Sequence, residues 1–296
     1  MGDSATRLSG GVFRSLDNPI ITNQRNKKFL SFESETDMCF SYAINFSASA
    51  LQTKLQLGGP SDLDIPLPWE TSGPDQPLVS PGFFISGFNK PTLPVVTKAL
   101  TPSQSAPYQL SAMHWGLIPH WCKSAEQAQE LSTYGLNARA ETLGEKPLFR
   151  DAWKSQPCLV PVSGFFEWQT IGKKKQPYYI YAADQQPLLF AGMYAAWTDT
   201  QTGEQHQTYA IVTTEANALM AEIHNLKKRM PVILNAQQAK DYLQGEAPAR
   251  ETLLKPCAEE ILASHPVATW LNQVKVNRNV PQALLPIEKD FPQTLF

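Results

Sequence analysis

The chain has 296 residues, 42% of them hydrophobic, with 25 Lys and Arg against 27 Asp and Glu and a formal net charge of −2. That length supports one large domain or two small ones, and the balance excludes a general pull on polyanions, so any nucleic-acid site must be a local cluster of Lys and Arg. No apolar run of about 18 residues and no signal-peptide core is present, and the four cysteines (Cys39, Cys122, Cys158, Cys257) form no CxxC or zinc spacing with the five histidines, which reads as an intracellular protein from a reducing compartment.

Residues 1–37 are polar, carry five basic and five acidic residues, and keep no period of 2 or 3.6. They read as a leader, either flexible or removable, or as the result of a start codon placed upstream of the functional Met38. From Cys39 the pattern tightens. "CFSYAINF" alternates as a strand does, and "SASALQTKLQ" is a helix capped at Ser47 or Ser49. Residues 56–82 are loop, broken by Gly58-Gly59-Pro60 and Pro66, Pro68, Pro74, Pro77 and Pro81. "TLPVVT" and "SAMHWGLIPHW" are strands, the second turning at Pro119, and "SAEQAQELS" is a helix. "CLVPVSGFFEWQ", "QPYYIYAA", "PLLFAGMYAAW" and "HQTYAIVTTE" are strands separated by turn residues. "EANALMAEIH" is an amphipathic helix, "PVILN" a strand, and "AQQAKDYLQG" a helix from Asn235 to Gly245. "CAEEILAS" is expected to be one more short helix. Many strands with few helices predict an α+β fold: a single domain over 38–290, built on a curved, barrel-like, mostly antiparallel sheet with flanking helices, and a short tail at 291–296.

Four segments hold more functional side chains than a core needs. Met38-Cys39 would expose, on removal of the Met, a residue with amine and thiol on adjacent carbons. In "NARAET", Asn137 and Arg139 fall on one side of an extended segment, where an amide and a guanidinium suit a sugar or phosphate; a structural pairing of Arg139 with Glu141 is the alternative. In "PVSGFFEW", Glu167 shares a face with Phe165, opposite Phe166 and Trp168. Beside such bulk a carboxyl tends toward raised proton affinity, unless it is solvated or paired with an Arg. In "IHNLKKRMPVIL", His224 either caps its helix or moves protons beside an anion held by Lys227, Lys228 and Arg229. Trp115, Trp121 and Trp168 are core residues or stacking platforms for unpaired bases.

Taken in order, "MC", "WGLIP", "NARAE", "CLVPVSGFFEW", "TTEAN" and "IH…RMPVIL" resemble the SOS response-associated peptidase (SRAP) family, whose members shield abasic sites in single-stranded DNA. The resemblance implies a catalytic set of Cys39, Asn137, Glu167 and His224. Cys39, as an N-terminal residue, would form a thiazolidine with the open sugar of an abasic site. Arg139, Trp115, Trp121, Trp168, Lys227, Lys228 and Arg229 would then meet DNA. It also implies peptidase-type self-processing before Cys39, lyase-like crosslink chemistry, a monomer in the cytoplasm near the nucleoid, and no cofactor, metal or membrane. The chain departs from the family in its leader, in Phe40-Ser41 where many members have Gly-Arg, and in extra residues between His224 and "RMP". A non-catalytic single-strand binding module and a thiol peptidase acting on other proteins are the rival readings.

Overall fold

The computed structural model describes residues 40–56, 63–64, 82–103 and 106–287. Cys39, the leader, most of the proline-rich loop and the tail lie outside the described residues. The strands are β1 (Ser41–Ile44), β2 (Leu63–Asp64), β3 (Gly82–Ser86), β4 (Thr92–Ser103), β5 (Ala106–Trp115), β6 (Asn137–Arg139), β7 (Pro157–Val162), β8 (Gly164–Ile171), β9 (Lys174–Ala182), β10 (Leu188–Thr198), β11 (Gln205–Glu215), β12 (Arg229–Pro231), β13 (Ile233–Leu234) and β14 (Leu262–Pro266).

Five of them close a mixed barrel. β11, β10, β7, β4 and β5 follow one another antiparallel, and β5 returns to β11 in parallel register at His114–Thr208 and Trp115–Tyr209. Beside it runs a five-stranded sheet in the order β14-β9-β8-β1-β3. The fold is therefore α+β, as the alternating strands predict. Large apolar side chains fill the barrel: Trp115, Phe165, Phe190 and Tyr209 are fully buried, and the hydroxyls of Tyr42 and Tyr209 meet at 2.5 Å. Gly116 follows Trp115 with φ +123, where a Cβ would stand 2.6 Å from the Ser132 carbonyl. That is the physical demand behind "WG".

β8 is sandwiched between two cores. Phe165 packs into the barrel core, whereas Phe166 and Trp168 belong to a second cluster with Phe84, Tyr179, Val267 and Leu271. The period of 2 thus fixes which way Glu167 faces.

Local signals hold at the helices. Ser47 caps Ala48–Lys54, Ser124 caps Ala125–Tyr134, and Asn235 forms a capping box with Gln238 at the head of Ala236–Gln244. "CAEEILAS" is a correction: only Glu259–Ile261 makes a single 3₁₀ turn, and Leu262 onward is β14, paired with β9 from Leu262–Ala182 to Pro266–Tyr178. An open sheet edge outweighs weak local helix preference. Two further helices, Arg150–Ser155 and Ala247–Glu251, are too short to leave a periodic signature. Among the described residues, no helix is long and apolar enough to cross a membrane.

Candidate active site

Glu167 stands on β8 opposite Tyr178 of β9 and is 4% exposed. Burial pushes its carboxyl up to about 7, against the pull of His224, the Trp168 backbone N–H and Lys175. Among the described residues its Oε1 has no hydrogen-bond partner, and the closest cationic candidate is His224 Nδ1 at 4.0 Å. A buried carboxyl that titrates near neutrality suits proton transfer.

His224 is the C-cap of helix Ala218–Ile223, whose N-cap is Asn217, and it is buried. Its Nδ1 lies 3.0 Å from the Arg229 carbonyl. A carbonyl only accepts, so Nδ1 carries the hydrogen and Nε2 of the neutral ring is the acceptor left for chemistry. The residues after it close a turn: Lys228 N–H returns to the His224 carbonyl at 2.8 Å, with Lys228 itself at φ 50. Lys227 and Lys228 are exposed.

Arg229 begins β12, which lies on one flank of β11, while β6 lies on the other. Its guanidinium crosses β11 to grip Glu141 through Nη1–Oε1 at 2.5 Å and Nη2–Oε2 at 2.8 Å, and Nη2 also donates to the Thr213 carbonyl at 2.9 Å. Glu141 therefore pairs with Arg229, and the charge of Arg139, which the sequence offered as its partner, adds a smaller pull on the same carboxyl. The hydrogen bonds from Arg229 hold the Glu141 carboxyl below its usual range. Arg229 is thus engaged in a structural fork. Asn137 and Arg139 sit on β6 in parallel register with Ile211 and Thr213, Asn137 half-buried and Arg139 exposed.

The fork makes a first prediction. Glu141 loses its charge in Glu141→Gln, and the fork opens. Because the Glu141 side chain is 51% exposed, the loss should be under about 1 kcal/mol after solvent screening. A carboxyl held low contributes stability above its unfolded-state value and loses it as pH falls through its folded-state value, so the difference between the two proteins should vanish in acid. Thermal melts at pH 7 and pH 3 check this.

The tryptophans divide. Trp115, offered to DNA by the sequence, is a correction: it is 0% exposed, donates Nε1–H to the Leu136 carbonyl at 2.9 Å and packs 4.7 Å from Tyr42. A ring without an open face cannot take a base. Trp121 and Trp168 are half-buried, with Nε1 of Trp168 donating to Asn272 Oδ1 at 2.7 Å. Sequence reasoning did not single out Asn225, which bonds to β8; only coordinates reveal such a long-range tie. Among the described residues, no three His, Cys, Asp or Glu side chains gather as metal ligands do.

Comparison with known proteins bears on this arrangement. The family described as SOS response associated peptidase (SRAP) matches residues 38–274. The chain is similar to the abasic site processing protein YoqW of Bacillus subtilis, 35% identical over 173 residues, which span 57% of this chain and 74% of that one. It is also similar to the abasic site processing protein HMCES of Gallus gallus, 32% identical over 205 residues, which span 62% of this chain and 59% of that one. A crystal structure of a Bacteroides thetaiotaomicron protein superposes with a TM-score of 0.70 at 32% identity, covering 84% of this chain and all of the other.

Proposed function

The chain belongs to the SOS response associated peptidase family, and from that premise we propose that it processes abasic sites in single-stranded DNA, with residues 38–290 as the catalytic unit. Cys39, freed of residues 1–38, attacks the open sugar and forms a thiazolidine; Glu167 and His224 move the protons; Asn137 holds the reacting groups; Arg139, with Lys227 and Lys228 at the rim, binds phosphate. The same nucleophile is the candidate for the cleavage that frees it.

The observation that carries the reading is the buried Glu167 beside His224, on the strand that neighbours β1. Cys39 is followed in the sequence by Phe40, the residue before β1. Phe40 is fastened there, its carbonyl accepting from Gly87 N–H at 2.8 Å and its ring 4.8 Å from that of Phe88. β1 lies directly against β8, Tyr42 opposite Phe165, two residues before Glu167. The other thiols are poor rivals. Burial raises Cys122 and Cys158 and pushes Cys257 up to about 12, so little thiolate forms on any of them.

The test is incubation with single-stranded DNA carrying one abasic site, followed by a denaturing gel and mass spectrometry of the protein N-terminus. A band that survives SDS only on abasic DNA, from protein beginning at Cys39, supports the reading. Salt-sensitive binding without an adduct sinks it in favour of a binding module. Within the reading, Arg139→Ala should weaken binding to intact and abasic strands alike and flatten the dependence of log K on log salt by about 1, as loss of one phosphate contact does. Titrations at several salt concentrations measure this.

A further inference from the structure

Resting on the roles proposed for Glu167 and His224, we propose that Asn225 is the positioning residue that holds His224 against Glu167. Asn225 lies in the loop that separates His224 from "RMP". Its Oδ1 accepts from Thr170 N–H at 3.0 Å and its Nδ2 donates to the Thr170 carbonyl at 2.9 Å. One carboxamide thus satisfies both backbone groups of a β8 residue, as a neighbouring strand would. Thr170 is opposite Lys175 of β9, and both its groups turn to Asn225, so the contact is on the flank of β8 that faces β1.

A second tie stands on the other side of the histidine. Gln169 Nε2 donates to the Glu222 carbonyl at 3.2 Å, and Tyr178 O–H donates to Gln169 Oε1 at 3.1 Å. Residues 222 and 225 are both fastened to β8 within three residues of Glu167, and His224 is carried between them. The His224 ring is otherwise held by the Arg229 carbonyl. Releasing the Asn225 tie frees the loop to hinge about Lys228, which already holds a left-handed conformation. Displacing a proton-transfer group by about 1 Å costs on the order of 100-fold in rate. The groups facing Glu167 are His224 from the helix end and Lys175 and Tyr178 from β9.

The experiment uses the full chain. Rates of adduct formation on single-stranded DNA with one abasic site are measured against pH, and the Glu167 carboxyl is titrated by carbon-13 NMR. Wild type is compared with Asn225→Ala, Asn225→Gln and Asn235→Ala. Asn225→Ala should slow the adduct about tenfold and move the carboxyl midpoint up, because His224, whose charge pulls it down, is no longer held beside it. Asn225→Gln keeps a carboxamide and should recover part of both. Asn235→Ala removes a cap from the helix Ala236–Gln244 and should move neither. An unchanged carboxyl midpoint in Asn225→Ala overturns the proposal. Should that variant fail to fold, Asn225→Ser is judged by the same two measurements. If wild type makes no adduct, the abasic-site reading falls, and the carboxyl titration still decides the place of Asn225.

Discussion

In protein produced to begin at residue 39, Cys39→Ala should abolish the SDS-resistant adduct with abasic DNA, a loss of at least about 100-fold, while an adduct trapped with borohydride should persist. The reason lies in the order of steps. The sugar opens as its C1′–O4′ bond breaks, leaving an aldehyde. An α-amine, half neutral near pH 8, adds to that carbon; the carbinolamine loses one water and leaves an imine. With alanine the chain stops there, and the imine hydrolyses unless it is reduced. With cysteine the thiol sulfur bonds to the imine carbon, its proton passes to nitrogen, and a five-membered ring closes. Intramolecular closure of this kind has an effective molarity on the order of 10⁵ M or more, which makes the ring persist. Cys39→Ser should resemble Cys39→Ala, because a hydroxyl is a far weaker nucleophile than a thiol. Protein that keeps Met38 joined to Cys39 should give neither product, because an amide nitrogen does not form the imine. A persistent adduct from Cys39→Ala would place the nucleophile elsewhere and end the proposal.

Much of this architecture was legible in residue order because it rests on short-range rules. Alternation along "GFFEW" assigned Phe165 to one side and Phe166 with Trp168 to the other, and the two cores around β8 follow that division. Asn235 and Ser47 marked helix starts because a side-chain oxygen near free backbone N–H groups is a local matter. What stayed hidden depends on register between distant segments. Glu141 is two residues from Arg139 yet bonds to Arg229, 88 positions away, because β11 brings β6 and β12 to its two flanks. Trp115 looked as suited to stacking on DNA as Trp168 did. Closure of β5 onto β11 puts it in the barrel, a fact no local pattern carries. The same holds for "CAEEILAS", where an available edge on β9 decided between turn and strand.

Glu167→Gln should raise stability in alkaline solution and slow the chemistry at the same time. The folded protein holds a proton on Glu167 up to pH about 7, whereas the unfolded chain gives it up near 4.5. Between those values the folded state binds more protons, so wild-type stability falls as pH rises through the window and is lowest above it. The span corresponds to about 3 kcal/mol, an upper bound because water can enter as the group ionises. Glutamine keeps the shape and carries no charge, so it escapes that penalty. At pH 8 the variant should melt higher than wild type by roughly 6 to 10 °C, and the two should converge near pH 4. Adduct formation should slow by about 100-fold or more, since an amide neither gives nor takes the proton that sugar opening and water loss require. A carboxyl kept half-ionised at neutrality at such a cost in stability is what a working acid and base would show, and a merely structural carboxyl would not. Parallel melts and rate measurements from pH 4 to 9 decide it: coincident melting curves at pH 8 with an unaltered rate would leave Glu167 no part in the reaction.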